Sequence, residues 1–376
     1  FIRRAWIPRN LGTNVQDWTW GGNNGDSPRF FLNTDMCLLF DIETSFPCCT
    51  RTDLTTNNGG NQCDRNGLVL SNTPCASYAP GSVLEEAADA VRLFAGERAG
   101  GGFNNDNGPF YTAFASAWSK ATTNGLSGLA PFPGTSFSPT LPQLSASPTP
   151  PQPSASPTPP QPSASPTPKP TRAPGVAFVT EQEYDAIDAD IAALSTAFGN
   201  DDIARAHFLG GIVRLVAHDF MDFSINEAIP MGSDGCIDME HPDNSGLPQD
   251  IWCDNGCPLT EVYNGNFAHI SKADFWIAAA NAVIRLASNN GLDLKSTYVS
   301  GRVDAESCDG QGLRLPAASG CDAVQGVFVD RMGLTLTDGV ALLGAHTIGR
   351  GNELFSGHHG IWVDTEAQSV VSKWYL

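Results

Sequence analysis

The sequence predicts a mostly α protein, and three observations carry that prediction. Apolar residues recur at helical spacing through residues 271–289 and around two histidines, in Val213-Arg214-Leu215-Val216-Ala217-His218-Asp219 and Leu342-Leu343-Gly344-Ala345-His346-Thr347-Ile348-Gly349-Arg350. Thr180-Glu181-Gln182-Glu183 is a capping-box signature that opens a helix. Segments with the two-residue alternation of strands are sparse.

Along the chain, residues 1–6 begin without an N-cap and read as the middle of an amphipathic helix that Pro8 ends. Residues 366–376 are amphipathic and stop without a C-cap. Joining Leu376 to Phe1 continues one apolar face through Val370, Val371, Trp374, Phe1, Ile2 and Trp6. Residues 41–78 form a Cys-, Asn- and Gly-rich insertion. Residues 141–174 carry Ser-Ala-Ser-Pro-Thr-Pro from Ser145, Ser154 and Ser163. That spacing of nine is three turns of polyproline II, so the repeats share a face. Such a segment is extended and semi-rigid, on the order of 100 Å long at ~3.1 Å per residue. It separates an N-terminal part, 1–140, from a C-terminal part, 175–376. In the latter, helices are expected over about 180–198, 204–223, 271–289, 324–332 and 337–349.

Composition limits the function classes. The net charge is −19, which argues against nucleic acid and anionic membrane surfaces as partners. No stretch approaches the ~18 apolar residues of a spanning helix. Ten cysteines with few metal-type spacings point to disulfides and an oxidising compartment, hence a secreted or cell-surface protein. Cys253 and Cys257 could also be read as half a zinc site, although no second pair matches it. Five cysteines precede residue 140 and five follow residue 175, so complete pairing needs a bridge between the parts or between chains. The Ser/Thr-Pro repeats resemble hydroxyproline-rich glycoprotein modules, which implies O-linked glycans. No Asn-x-Ser/Thr sequon is present.

The histidine segments carry the chemistry. Arg214 and His218 are four apart, on one face of a helix. A guanidinium beside an imidazole depresses its pKa and leaves a neutral base. His346 is flanked by Gly344, Ala345 and Gly349, small residues that let a flat cofactor approach. A lone histidine on an apolar helix face is commonly a satisfied core residue. Two such segments with these neighbours weigh against that reading.

Both segments resemble the signature helices of the plant, fungal and bacterial haem peroxidase superfamily. Asn244 in Asn-Ser-Gly-Leu, Gly301-Arg302-Val303-Asp304 and Leu315-Pro316 match further family segments. Trp362 falls where cytochrome c peroxidase-type and ascorbate peroxidase-type members keep a tryptophan under the haem. In the N-terminal part, Phe31-Leu32-Asn33-Thr34-Asp35-Met36 resembles the segment carrying the proximal aspartate, and residues 110–118 resemble a closing helix. The resemblance therefore implies a haem peroxidase-like helical fold in permuted order: the family's C-terminal part at 1–140, the Pro-rich linker at 141–174, and the family's N-terminal part at 175–376. Two architectures fit, a circular permutant or one repeat unit of a longer head-to-tail array, and the abrupt ends favour the array, a fibre.

The resemblance also implies roles. His218 would move the peroxide proton, Arg214 would stabilise charge as the O–O bond breaks, and Asn244 would hold the His218 tautomer. His346 would ligate the iron of a haem b, with Asp35 accepting its other N–H. Arg350 and Ser356 would contact a haem propionate, and Pro316 and Trp362 would line the haem. Ala217 departs from the family, which has an aromatic residue there; the change opens space over the iron or marks a degenerate pocket. Asp219 and Asp234 resemble carboxylates of a distal Ca²⁺ site, although Cys236 stands where that site uses serine. Thr347 and Asp364 are candidates for a second, proximal Ca²⁺ site. The implied activity is H₂O₂-dependent oxidation of small reductants. The alternative is a structural fibre unit that reuses the fold.

Overall fold

The computed structural model describes residues 7–12, 15–20, 29–38, 84–97, 106–133, 177–316 and 322–362. Its architecture is helical with one small sheet. The N-terminal part supplies α1 (Asn33–Met36), α2 (Glu85–Phe94) and α3 (Gly108–Thr123). Further on come α4 (Glu181–Ala197), α5 (Asp202–Phe220), α6 (Leu247–Asp250), α7 (Pro258–Val262) and α8 (Lys272–Ala287). The chain then forms α9 (Asp322–Val324), α10 (Leu336–Leu343) and α11 (Glu353–Ser356).

Local chemistry explains the long helices. Thr180 and Glu183 close the expected capping box on α4. Asp201 caps α5 by accepting from the Ala204 N–H, and Ser271 caps α8 by accepting from the Asp274 N–H. Nearly every residue of α8 is buried, as befits a helix apolar on all sides. It packs against α4 and α5, while α10 packs against α2 and α3.

The N-terminal part is built into this core. In α3, the Trp118 indole N–H donates to Asn281 Oδ1 of α8 at 2.9 Å. Lys120 pairs with Asp338 of α10 at 2.8 Å. Arg302 and Asp274 form a fully buried ion pair at 2.7 Å, and the same guanidinium donates to the Thr122 carbonyl at 2.7 Å.

The sheet was not expected. Its order is β1 (Ile7–Gly12), β2 (Val15–Trp20), β3 (Arg29–Phe31), β5 (Gly360–Ile361), β4 (Arg350–Gly351). β1, β2 and β3 form an antiparallel meander, and Arg29 of β3 pairs in parallel with Ile361 of β5. Ile7 and Pro8, which the sequence reading assigned to the end of a helix, therefore lie in a strand. Pro8 sits on the edge strand, the position in a sheet where proline is tolerated. The rest of that joined helix, residues 1–6 and 366–376, lies outside the described residues, as do the 41–78 insertion and the 141–174 linker.

Two helix expectations are refined. Residues 325–331 form a π-helix rather than continuing α9. After α10 the backbone tightens into a 3₁₀ turn over Gly344–Thr347, and His346 sits in that turn.

Candidate active site

His218 lies in the last turn of α5, and its Nδ1 is 2.7 Å from Asn244 Oδ1. Burial and the nearby Arg214 push its pKa down to about 3, so the ring is neutral across the physiological range. Asn244 is fully buried in a short 3₁₀ turn, Pro242–Asn244. Arg214 is half-buried, and its guanidinium donates to the carbonyls of Ser245 at 2.8 Å and Asp243 at 2.5 Å. The guanidinium is thus held by the Asn244 loop. Ala217 packs at the core edge beside His218, leaving the position without an aromatic ring.

The second histidine is placed by the sheet. His346 lies four residues before the start of β4, and Asp35 follows β3 in α1. Pairing of β3 with β5 and of β5 with β4 brings the two segments together across 311 residues of sequence. His346 Nδ1 and Asp35 Oδ1 are 2.9 Å apart. The other Asp35 oxygen accepts from the Leu32 N–H at 2.9 Å, and the carboxylate is completely buried. Trp362 stacks on the His346 ring at 4.4 Å with only 3° between planes. Phe30 stacks on the far face of this assembly, 4.2 Å from Trp362 and 5.7 Å from His358. His358 Nδ1 in turn meets the buried Asp17 at 3.1 Å. Neither Asp17 nor Phe30 was anticipated from the sequence.

The other expected residues are more dispersed. Arg350 begins β4, and its buried Nε has no hydrogen-bond partner, which suits it to an anion. Ser356 ends α11, and its hydroxyl donates to the Asn352 carbonyl at 2.8 Å. Pro316 is half-buried after a 3₁₀ turn, Gly312–Arg314.

Asp219 is fully buried beside His218 and accepts from the Gly235 and Cys236 N–H groups, both at 3.2 Å. Burial raises its pKa well above the carboxylate range, raises Asp234 to about 6 and raises Asp222 to about 10. Asp222 Oδ2 and Ser233 Oγ are buried without partners. Even so, among the described residues no three His, Cys, Asp or Glu side chains stand as a metal-binding group. The Cys236 sulfur is bonded to Cys308, and Cys253 is bonded to Cys257, so this pair takes the disulfide reading rather than the half-zinc alternative. Thr347 is buried and donates to the Gly344 carbonyl at 2.9 Å, and Asp364 lies outside the described residues.

Gln311 is the residue that sequence reasoning missed at this site. It is fully buried and touches both His218 and Asn244, yet it matches no motif.

The haem chemistry expected here fits the residues present. One buried neutral imidazole stands on a helix, a second imidazole is backed by a carboxylate, and Arg350 keeps an unpartnered buried N–H for an acidic group.

Comparison with known proteins agrees. Residues 188–372 match the model of the family described as peroxidase. L-ascorbate peroxidase T of Arabidopsis thaliana chloroplasts is 36% identical over 37% of this chain and 33% of its own length. Cytosolic L-ascorbate peroxidase 2 of the same plant is 33% identical over 43% of this chain and 61% of its own. An Aspergillus fumigatus protein whose name describes a heme-binding peroxidase is 31% identical over 48% of this chain and 54% of its own. The chain spans about a third to three fifths of the length of these curated relatives.

Proposed function

Because residues 188–372 belong to the plant-type haem peroxidase superfamily, we propose that the protein holds a haem b between His218 and His346 and uses hydrogen peroxide to oxidise small reductants. The observation that carries this reading is the pairing of the two rings. Each imidazole has its Nδ1 engaged by a side-chain oxygen, Asn244 at 2.7 Å and Asp35 at 2.9 Å, which directs Nε2 as the working nitrogen of both.

His346 Nε2 would ligate the iron, and Asp35 would make that ring more anionic. The bound haem supplies the redox centre that takes electrons from a reductant and passes them to peroxide. His218 Nε2 would accept the proton of one peroxide oxygen and return it to the other, which leaves as water when the O–O bond breaks. Its depressed pKa keeps the base unprotonated for that step. Arg214 would leave the Ser245 and Asp243 carbonyls to stabilise charge on the departing oxygen. Arg350 and Ser356 would hold a propionate.

Haem loading of the full chain tests this. A Soret band that shifts on adding peroxide, with peroxide-dependent oxidation of ascorbate or a phenol, is expected. His218→Leu keeps the band and loses the fast peroxide reaction, and His346→Ala loses the ligation. Failure to bind haem sinks the reading.

A calcium ion at Asp219 and Asp234 is part of the proposal. Its support is the pair of orphaned buried oxygens, Asp222 Oδ2 and Ser233 Oγ, next to them. Calcium-dependent protection against heating, absent in Asp219→Asn, is the check.

We also propose that the order of parts is permuted and that the unit is extracellular, O-glycosylated on 141–174 and assembled head-to-tail. The Asp35–His346 bond and the Ser-Ala-Ser-Pro-Thr-Pro repeats support these readings, and the disulfides suit an oxidising compartment. Globules alone in micrographs of native material would defeat the fibre. A non-catalytic building block is the second reading. It is favoured by Ala217 and by Arg214 bonding to backbone carbonyls.

A further inference from the structure

A histidine works as a base at Nε2 only when its proton sits on Nδ1. Here the tautomer depends on which way round the Asn244 amide lies, because only Oδ1 can accept from an Nδ1–H. The amide orientation is not left to Asn244 alone. Its Nδ2 donates to two acceptors, the Asp238 carbonyl at 2.7 Å and Gln311 Oε1 at 2.9 Å. Reversed, the amide would set its own oxygen against both.

Gln311 is in turn fixed by groups whose donor or acceptor nature cannot change. Its Oε1 accepts from the Asp238 N–H at 3.3 Å, and its Nε2 donates to the His218 carbonyl at 2.9 Å. A reversed Gln311 would face two donors with its amino group and a carbonyl with its oxygen. Backbone chemistry thus sets Gln311, Gln311 together with the Asp238 carbonyl sets Asn244, and Asn244 sets the ring. We infer that Gln311 is a positioning residue that fixes the tautomer of His218 by locking the amide of Asn244.

The surroundings hold Gln311 in register. Its N–H donates to the Cys308 carbonyl at 3.0 Å, and Cys308 is bonded to Cys236 near the end of α5. Gly312, next in sequence, lies against the His241 ring, where an added Cβ would come within 2.1 Å. His241 accepts from the Asn244 N–H through its carbonyl at 2.9 Å. The two short 3₁₀ turns that carry Asn244 and Gln311 are therefore packed directly together. Both amides are completely buried, so no water competes for these bonds.

The catalytic consequence rests on the peroxidase reading, but the tautomer itself does not. The test uses the full chain with ¹⁵N-labelled histidine, compared as wild type, Gln311→Met, Gln311→Asn and Gln311→Glu. His218→Gln assigns the signal among seven histidines. Met keeps the length and removes the hydrogen bonds. Asn stays polar but falls one methylene short, and it serves if the Met variant does not fold. Glu, held protonated by burial, keeps an acceptor for Asn244 and a donor for the His218 carbonyl.

Ring-nitrogen shifts before haem is added are expected to show only the Nδ1–H form in wild type and Gln311→Glu. In Gln311→Met and Gln311→Asn at least half of that population is lost. After haem loading, the rate of reaction with peroxide falls at least about twofold in the Met variant, in proportion to the Nδ1–H form lost, with haem affinity unchanged. A pure Nδ1–H ring in the Met or Asn variant overturns the inference, and so does loss of that form in Gln311→Glu. If haem fails to load, the peroxidase reading falls while the ring-nitrogen result still decides the role of Gln311.

Discussion

Replacing Arg302 by Met tests whether the N-terminal part is integral to the core. The guanidinium meets Asp274 Oδ1 at 2.7 Å, the Val299 carbonyl at 2.5 Å and the Thr122 carbonyl through two nitrogens, at 2.7 and 3.2 Å. Both charged side chains are shielded from solvent. Removing one partner of a buried pair costs about 3–5 kcal/mol, and stranding the Thr122 carbonyl adds about 1–3 kcal/mol. Asp274 keeps two backbone donors, Gly301 N–H at 2.7 Å and Arg302 N–H at 3.1 Å, which favours the low end. A net loss of about 4 kcal/mol lowers the melting temperature by roughly 8–16 °C. Urea denaturation with tryptophan fluorescence measures it. Arg302→Met with Asp274→Asn recovers part of the loss, since the amide removes the stranded charge while its oxygen still accepts from the Gly301 and Arg302 N–H groups. A single variant that loses under about 1 kcal/mol would refute the reasoning, and with it the seating of α3 on the 274–302 segment.

Three other outcomes are expected. Asp35→Asn weakens haem binding or turnover about 10–100-fold and raises the iron reduction potential; an unchanged potential in spectroelectrochemistry would show that the 2.9 Å contact does not tune the ring. Asp222, raised to about 10 chiefly by burial, holds in the folded state a proton that the unfolded chain gives up near pH 4. Its stabilising contribution is full below that value and is lost as pH rises, so with chelator present this carboxyl alone makes stability fall by about 1.4 kcal/mol per unit between pH 7 and 9, and Asp222→Asn removes that share of the slope. Replacing both Cys236 and Cys308 by Ser frees a loop of 72 residues, for which chain entropy gives a loss of about 4 kcal/mol, read by denaturation without reductant.

Local signals made much of the helical frame legible. Thr180 and Glu183 fixed the start of α4, and the apolar run of α8 fixed its extent. The histidines and their partners Asn244 and Asp35 came from resemblance, because nothing local links Asp35 to a residue 311 positions away. The sheet was hidden for a similar reason. β3, β4 and β5 are two or three residues long and depend on non-local partners, too short for alternation to register. Ile7 and Pro8 read as a helix end because apolar spacing there fits either period. Gln311 was invisible because a glutamine in a polar loop has no pattern, and its meaning is set by three backbone groups brought together only by folding. The tightening at His346 likewise came from tertiary context overriding the period of α10.

The contacts that tie α3 to α8 and α10 set the order of events during synthesis. Thr123 closes α3, and about 150 residues must be translated before Lys272 opens α8. At 5–20 residues per second that interval is about 10–30 s. Throughout it the face bearing Phe110, Phe114 and Trp118 has no C-terminal core to enter. Such high contact order makes closure slow, and the waiting surface is apolar and aromatic. The yield of folded chain is therefore expected to rise when chaperones that bind exposed aromatic segments are co-expressed.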